Sequence, residues 1–257
     1  MRLTVSGLAL TPVKAMRLRA VASVDLTSSG ARGDRCFYVI DERARMVNGK
    51  PFGELQTVVA DYDERRDELA LTFADGERVS ASVVCDGEIR TSFFGVERID
   101  RLLHGPWSDA LSERIGRPLR LVQTRVGVDR GVEGAASLIS RASLARLARA
   151  AGTGSVDARR FRMLIEVDGA EPHEEDAWVG RRVRVGTALL SFNGHVGRCA
   201  VTTRNPDSGL VDLNTLRALS SYRHGHPSSE PLPFGIYGAV LEPGTVSVGD
   251  RVSVQGW

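Results

Sequence analysis

The chain has 257 residues, of which 42% are hydrophobic and 26% are charged, a composition typical of a globular protein with a substantial core. Its 34 Lys and Arg residues against 32 Asp and Glu residues leave a formal net charge of +2, with the two signs interspersed. This balance gives no electrostatic reason to expect a nucleic-acid partner or an anionic membrane surface. Any anionic ligand is therefore expected to be small and bound locally.

The sequence also argues against targeting signals and against several common roles of cysteine. The N-terminal apolar stretch is too short for a secretory signal, and no stretch approaches the length of a membrane span. We therefore expect a cytoplasmic protein without a membrane partner. The three cysteines, Cys36, Cys85 and Cys199, lie far apart, which argues against a disulfide framework or a CxxC-type metal site within the chain.

The first ninety residues contain short apolar or alternating runs separated by turn residues, a pattern that indicates β-strands. Asp75-Gly76 predicts a hairpin turn between the last two runs, because this dipeptide suits positive backbone angles. The predicted strands are Leu3 to Val5, Cys36 to Ile40, Leu55 to Ala60, Leu69 to Phe73 and Arg78 to Val84.

Three helices are predicted in the remainder. Ser108 to Ile115 is followed by Gly116, and Ser140 to Ala151 is followed by Gly152, a residue that commonly ends helices. Ser140 or Ser143 can cap the first turn of the second helix. Leu213 to Tyr222 is the third.

The last hundred residues return to strand-like runs. These are Met163 to Val167, Arg182 to Val185, Ala188 to Phe192, Ala200 to Thr203, Ile236 to Leu241 and Val246 to Val254. Many short strands with few helices favour a mainly β (α+β) fold built from barrels or sandwiches over βαβ units.

The chain lacks the sequence patterns of several enzyme classes. Gly152-Thr153-Gly154 lacks the third glycine of a dinucleotide turn, and there is no Walker lysine motif or GxSxG elbow. His173-Glu174-Glu175-Asp176 has no familiar metal-ligand spacing, and we interpret it as a solvated charged loop.

Cys199 has the most suggestive surroundings of the three cysteines. Arg198 precedes it, Arg204 follows, and Gly194 and Gly197 allow close approach to the backbone. Cations and hydrogen-bond donors favour the thiolate, which is the nucleophilic and ligating form. A buried structural cysteine is the alternative, because free cysteines are mostly buried.

Arginines also gather near predicted turns. Arg32 and Arg35 lie in GARGDR, and Arg160 and Arg162 lie in ARRFRM. Guanidinium groups suit bidentate contacts with phosphate, and alternation predicts Arg160 and Arg162 on one face of a strand. Surface salt bridges are the alternative.

Several segments follow one another in the C-terminal part of the chain: RRFRMLIEVDG, EEDAWVG, GRCAVTTRNPDSG, LRALSSYR, PFGIYG and GTVSVGD. In the N-terminal part, Pro12-Val13-Lys14 and Gly33-Asp34-Arg35 precede a strand. In this order they resemble the MOSC superfamily, including its amidoxime-reducing molybdenum proteins. The resemblance implies an N-terminal β-barrel-like domain over residues 1–95, packed on a MOSC β-barrel domain over residues 96–257.

The resemblance also implies a cofactor site. Cys199 matches the family cysteine that supplies a protein sulfur ligand to the molybdenum of a molybdenum–molybdopterin cofactor, a soft metal that favours thiolate. The positions that match basic or aromatic groups around the pterin and its phosphate, or adjoin them, are Lys14, Arg35, Arg160, Arg162, Arg198 and Tyr237. A surface lysine and a barrel-core tyrosine are the alternatives for Lys14 and Tyr237.

This chain departs from the family pattern near the expected cofactor. Gly197 stands where many members have a second cysteine, and an FRPN-like motif reads Phe161-Arg162-Met163-Leu164. Glu133-Gly134-Ala135 replaces a polar turn, and the segment after Cys199 reads Thr202-Thr203-Arg204-Asn205-Pro206. The substrate pocket is therefore less well defined by the resemblance than the metal ligand is.

Three functions follow from the resemblance. The first is an oxidoreductase that removes oxygen from N-hydroxylated or other oxygen-bearing small molecules, with electrons from an external reductase or ferredoxin-like protein, since no such domain with clustered cysteines is found in the chain. The second is a sulfur carrier or transferase that uses a Cys199 persulfide. The third is a non-catalytic carrier of the molybdenum cofactor.

Overall fold

The computed structural model describes residues 2–125 and 131–255, and strands are its commonest regular elements. Its strands are β1 Thr4–Leu10, β2 Arg19–Ala20, β3 Ser23–Thr27, β4 Gly30–Ala31, β5 Phe37–Ile40, β6 Val59–Asp63, β7 Glu68–Thr72, β8 Arg78–Ser82, β9 Val84–Phe93, β10 Val96–His104, β11 Arg120–Gln123, β12 Ala136–Ser140, β13 Ile165–Asp168, β14 Arg182–Val185, β15 Ala188–His195, β16 Ile236–Glu242, β17 Gly244–Ser247 and β18 Val252–Val254. Its α-helices are α1 Trp107–Ile115, α2 Arg141–Ala151 and α3 Thr215–Arg223. The prediction of a mainly β protein with a few helices is confirmed.

The largest sheet joins the two ends of the chain. Its strand order is β18-β14-β15-β16-β12-β13-β1-β2, so the N-terminal strand β1 pairs antiparallel with β13. The register places Leu8 opposite Ile165, and both side chains are buried in a core that also contains Phe192 and Ile236. This pairing carries the turn after β1 next to the segment that precedes β13.

Three smaller sheets complete the architecture. Their strand orders are β5-β11-β10-β9, β17-β3-β4 and β6-β7-β8. Trp107 of α1 is fully buried in the core shared by β5, β7 and β11, where its Nε1 donates to the carbonyl oxygen of Leu69. None of the sheets formed by the described residues closes into a barrel, because the strands of the N-terminal part are divided among all four. The division at residue 95 stays a prediction.

The turn and helix signals in the sequence are confirmed. β7 and β8 pair antiparallel across Asp75-Gly76. The side chain of Ser140 accepts a hydrogen bond from the backbone N–H of Ser143 at the start of α2. Gly152 ends α2 with a left-handed backbone at φ 69°, and Gly116 ends α1 in the same way at φ 73°. These signals succeed because each acts within a few residues of the element it delimits.

Three strand predictions were wrong in detail. Leu55 to Ala60 begins within the 3-10 helix Gly53–Thr57, and Ala200 to Thr203 is a 3-10 helix throughout. Val246 to Val254 is interrupted by a turn at Gly249. Short apolar runs have no periodicity of their own, so the pattern does not separate a buried strand from a single buried helical turn.

The structure also contains a crossover connection, contrary to the expectation that βαβ units are absent. β12 pairs in parallel with β13, with Leu138 opposite Ile165, and α2 lies between them in the chain. Parallel neighbours require such a crossover, and a helix commonly provides it. Among the described helices, none combines the length and apolar character that a membrane crossing requires.

The interpretation of residues 173–176 as a solvated loop was wrong. Glu174–Trp178 is a 3-10 helix, and the side chain of Glu175 is completely buried. The Ser140 N–H donates to Glu175 Oε1 over 3.1 Å, and the Ser140 hydroxyl donates to Oε2 over 2.8 Å. The carboxylate therefore anchors the start of α2.

A Glu175→Ala variant is expected to unfold with a free energy about 2 kcal/mol lower than that of the wild type, because it leaves buried donors of Ser140 without a partner. The measurement is equilibrium urea unfolding, with the exposed Glu171→Ala as the matched control. Equal stability of the two variants would contradict the anchoring role.

Candidate functional site

Two adjoining cavities lie between the turn after β1 and the loop that carries Cys199. The larger, of about 510 Å³, is lined by Lys14, Arg35, Arg162 and Tyr237 among others. The smaller, of about 200 Å³, is lined by Cys199 together with Lys14 and Arg162. Their shared walls form one concave region of the size typical of small-molecule sites, with basic groups and a thiol facing it.

The turn after β1 positions Lys14 and Arg35 together. The Thr11 N–H donates to Asp34 Oδ1 over 3.0 Å, and the Arg35 N–H donates to the Thr11 carbonyl oxygen over 2.7 Å. The Lys14 N–H donates to the Phe37 carbonyl oxygen over 2.8 Å. The segment before β5 is thus held against the segment after β1.

Arg162 reaches this turn from the other half of the chain. Arg35 Nη2 donates to the Arg162 carbonyl oxygen over 2.8 Å, across 127 positions of sequence. Arg162 Nη2 donates to the Met16 carbonyl oxygen, also over 2.8 Å. Arg35, Arg162 and Ala15 have positive φ angles of 49°, 56° and 74°. Such backbone conformations are costly for residues other than glycine, and they concentrate at functional sites.

The prediction that Arg160 and Arg162 share one face of a strand was wrong. Ala158–Phe161 is a 3-10 helix, and Arg162 follows it in the left-handed conformation. The two guanidinium groups consequently have different hydrogen-bond partners, although both residues line the smaller cavity. Arg160 Nη1 donates to the Arg204 carbonyl oxygen, and Arg160 Nη2 donates to Asp212 Oδ2 over 2.9 Å.

The electrostatics of the cavity favour an anionic ligand. Burial, together with the charges of Arg35 and Arg162, lowers the pKa of Lys14 to about 7, against the opposing effects of Asp34 and Cys199. Burial and the charge of Arg35 lower the pKa of Arg162 to about 9. The fold therefore concentrates three basic side chains at an electrostatic cost that an anion would offset.

Cys199 lies at the start of a tight turn. It caps the 3-10 helix Ala200–Thr203, and its carbonyl oxygen accepts hydrogen bonds from the backbone N–H and the hydroxyl of Thr202. Its side chain is partly exposed and lines the smaller cavity. A Cβ at Gly197 would lie 2.5 Å from Glu230 Oε2, so glycine permits the close passage of the preceding backbone.

Arg198 is buried beside the Cys199 turn, and several of its contacts are with main-chain oxygens. Its Nε donates to the Phe234 carbonyl oxygen and its Nη1 to the Phe161 carbonyl oxygen, both over 2.8 Å. Arg198 Nη2 lies 3.0 Å from the sulfur of Met163, one of the residues that replace the family pattern. Arg198 therefore holds the cavity walls together, and its predicted contact with a cofactor stays a prediction.

Tyr237 lies on β16 and lines the larger cavity with its ring half-buried. A Cβ at Gly194 would approach the Tyr237 ring to 3.0 Å, so glycine at this position makes room for the ring. Sequence reasoning missed Phe93 and Phe94, whose ring centroids lie 5.6 and 5.7 Å from Lys14 Nζ. The Phe94-Gly95 dipeptide, which forms the turn between β9 and β10, could have pointed to these two residues. The sequence analysis did not predict either strand.

Comparison with models of known protein families identifies the family of this chain. A model described as MOSC domain matches residues 123–253, slightly more than half of the chain. The chain belongs to the MOSC domain family. A second model, described as MOSC N-terminal beta barrel domain, matches residues 2–98. The resemblance inferred from the ordered sequence segments is confirmed.

Relatives of known name align with most of the chain. Mitochondrial amidoxime-reducing component 1 of Mus musculus is 28% identical, covering 98% of this chain and 82% of the relative. Mitochondrial amidoxime reducing component 2 of Bos taurus is 28% identical, covering 97% and 82%. Molybdenum cofactor sulfurase of Oryza sativa subsp. japonica is 27% identical over 82% of this chain but only 30% of the relative.

A solved structure, the YUAD protein of Bacillus subtilis, has a TM-score of 0.49 to this chain at 14% identity. The match covers 100% of this chain and 97% of that one.

The lowered pKa of Lys14 predicts a pH dependence of stability in the cofactor-free protein. Folding lowers this pKa from 10.5 to about 7, so between these values the unfolded chain binds more protons and stability rises with pH. Between pH 6.5 and 9 we expect the wild type to gain roughly 2 kcal/mol relative to Lys14→Met. The measurement is urea unfolding at both pH values.

Lys50→Met is the matched control, since Lys50 is exposed. Its stability should change with pH in parallel with that of the wild type. A Lys14→Met variant that also follows the wild type between pH 6.5 and 9 would contradict the lowered pKa.

Proposed function

We propose that this MOSC protein binds a molybdenum–molybdopterin cofactor and reduces N-hydroxylated or other oxygen-bearing small molecules with electrons from an external donor. The observation that carries the proposal is the joint cavity, which places the Cys199 thiol and the basic groups of Lys14, Arg35 and Arg162 on adjoining walls. Relatives of nearly full coverage are named amidoxime-reducing components, which supports the substrate class.

The residues of the cavity fit the chemistry of the cofactor. The two arginines offer planar forks suited to phosphate oxygens, and Lys14 offers a compact charge. The thiolate of Cys199 suits a soft metal better than a carboxylate or hydroxyl would. When bound, the cofactor would supply the two-electron redox chemistry that removal of oxygen from the substrate requires.

Each group of the chain has a defined task in this reaction. Lys14, Arg35 and Arg162 would bind and neutralise the phosphate, Cys199 would hold the metal, and Tyr237 and Phe94 would form part of the surrounding wall. Conversion of an N–OH group to N–H consumes two electrons and two protons and releases one water molecule. An external reductase or ferredoxin-like protein supplies the electrons.

The test uses protein purified from a host fed with molybdate. Molybdenum and a fluorescent pterin are expected in comparable amounts per chain, together with turnover of an amidoxime by chemically reduced protein. Wild type that lacks both metal and pterin would overturn the proposal. Protein that retains both but does not turn over any N-hydroxylated compound would instead support the role of a cofactor carrier.

Sulfur transfer is the second candidate, because a molybdenum cofactor sulfurase aligns with 82% of this chain. Cys199 would then accept sulfur as a persulfide from a separate desulfurase. Incubation with a desulfurase and cysteine, followed by mass spectrometry, distinguishes the two functions. A gain of one sulfur atom on Cys199 without amidoxime turnover would favour transfer over reduction.

A further inference from the structure

A second group of ligating side chains lies outside the cofactor cavity. Asp176 is on the 3-10 helix Glu174–Trp178, His195 ends β15, and His226 follows α3. One potential ligand atom from each residue lies within 4.8 Å of the others. His195 Nε2 is 3.5 Å from Asp176 Oδ1, and His226 Nε2 is 3.5 Å from Asp176 Oδ2.

Buried polar atoms of these three residues lack a hydrogen-bond partner. They are Asp176 Oδ1, His195 Nε2 and His226 Nδ1. Native proteins satisfy nearly all buried polar atoms, so each exception requires an explanation such as an ion or an ordered water. Asp176 Oδ1 and His195 Nε2 face each other without a hydrogen-bond partner, and His226 presents Nε2 to the same carboxylate while its Nδ1 is unpartnered, an arrangement that points to a cation.

We propose that Asp176, His195 and His226 form a site for a divalent transition-metal ion, with Zn²⁺ as the best match. Two imidazoles and one carboxylate are ligands that zinc commonly takes, and a water molecule or small anion completes a tetrahedral site. Ligand atoms bound to one zinc ion lie roughly 3 to 3.5 Å apart, as follows from bond lengths of about 2 Å. The His–Asp separations agree with this value, and the ligand atoms of all three residues lie within 4.8 Å of one another.

Arg223 determines how strongly the site binds. Its Nη1 donates to Asp176 Oδ2 over 2.7 Å, which leaves Oδ1 directed at His195. A hydrogen bond of this kind orients a ligating carboxylate, as is common around metal ions in proteins. The guanidinium charge also repels a cation. The site is therefore expected to bind Zn²⁺ reversibly and to empty on treatment with a chelator.

Hydrogen bonds of two arginines connect the proposed metal site to the Cys199 turn. Arg223 Nε donates to the Pro233 carbonyl oxygen over 2.9 Å, and Arg198 Nε donates to the Phe234 carbonyl oxygen over 2.8 Å. Residues 233 and 234 thus connect the carboxylate of Asp176 to the residue that precedes Cys199. A bound ion would restrain this segment by joining the elements that carry Asp176, His195 and His226, in addition to the hydrogen bond from Arg223 to Asp176.

The experiment measures metal binding by the full chain after removal of metals with a chelator. Zn²⁺ affinity is determined by competition with a chromophoric chelator for the wild type, His195→Ala and His226→Ala. His224→Ala is the matched control, since His224 is exposed and lies two residues from His226. Co²⁺ absorption identifies the ligands, because a cysteine ligand produces a thiolate-to-metal charge-transfer band that histidine and aspartate do not.

The proposal requires one Zn²⁺ per wild-type chain, at least about tenfold weaker binding in both cluster variants, and unchanged binding in His224→Ala. It also requires a Co²⁺ spectrum without the thiolate band. Circular dichroism checks the fold of each variant, and His226→Ala keeps the test valid if His195→Ala fails to fold. Absence of stoichiometric binding, equal affinity in His226→Ala, or a thiolate band would overturn the proposal.

Discussion

A Cys199→Ser variant is expected to reduce an amidoxime at least about 100-fold more slowly than the wild type while it retains most of its pterin. Serine is a poor ligand for a soft metal compared with thiolate, and even substitutions one step removed from a metal commonly cost about 10- to 100-fold. The pterin stays bound because Lys14, Arg35 and Arg162 are unchanged. The measurements are steady-state turnover with a chemical reductant and pterin fluorescence per chain.

Cys85→Ser is the control for this experiment. Cys85 is exposed on β9, where its Sγ lies 3.7 Å from Gln123 Oε1, and it does not line either cavity described for Cys199. Its activity should equal that of the wild type. Full turnover by Cys199→Ser would show that the thiol is not the metal ligand, and the proposed function would then lose its central residue.

An Arg162→Met variant is expected to lose the cofactor rather than only the activity. Charge-assisted hydrogen bonds to phosphate contribute about 1.5 to 3 kcal/mol, which corresponds to roughly 10- to 100-fold in affinity. The cofactor-free variant should differ little in stability from the wild type, because removal of a buried cation, whose pKa burial has lowered to about 9, offsets the loss of the Arg162 Nη2 hydrogen bond to the Met16 carbonyl oxygen. Pterin per chain and urea unfolding measure the two effects.

Two further variants make this result specific. Arg141→Met is the control, because Arg141 is exposed at the start of α2 and its pairing with Glu166 is peripheral to the cavity. Arg162→Lys keeps the charge but not the fork and should bind an intermediate amount of pterin. Normal pterin content in Arg162→Met would exclude this residue from phosphate binding.

The two variants separate the tasks assigned to the cavity. Cys199→Ser should keep pterin and lose turnover, whereas Arg162→Met should lose both. If both variants lose pterin equally, Cys199 contributes to retention of the cofactor as well as to its reactivity.

Local signals in the sequence predicted much of the fold. Ser140 and Gly152 delimit α2, and Asp75-Gly76 marks the β7–β8 hairpin, because a cap or a turn depends on the backbone within a few residues. The strand predictions were wrong at 200–203 and at 160–162, where the structure has the 3-10 helix Ala200–Thr203 and the end of the 3-10 helix Ala158–Phe161 followed by a left-handed Arg162. Tertiary packing decided these segments, since a few apolar residues fit either conformation.

The candidate site likewise combines features that the sequence predicted with features that only the folded chain produces. The sequence by itself determined that Cys199 lies in a basic, glycine-containing segment, and its resemblance to the family implied that Lys14, Arg35 and Arg162 surround the phosphate of a cofactor. Only the tertiary structure decided that these cations meet, because Arg35 and Arg162 are 127 positions apart and are joined through the pairing of β1 with β13. It also decided that Glu175 is buried and that Asp176 faces two distant histidines. Burial and charge proximity are properties of the folded chain, and no local pattern carries them.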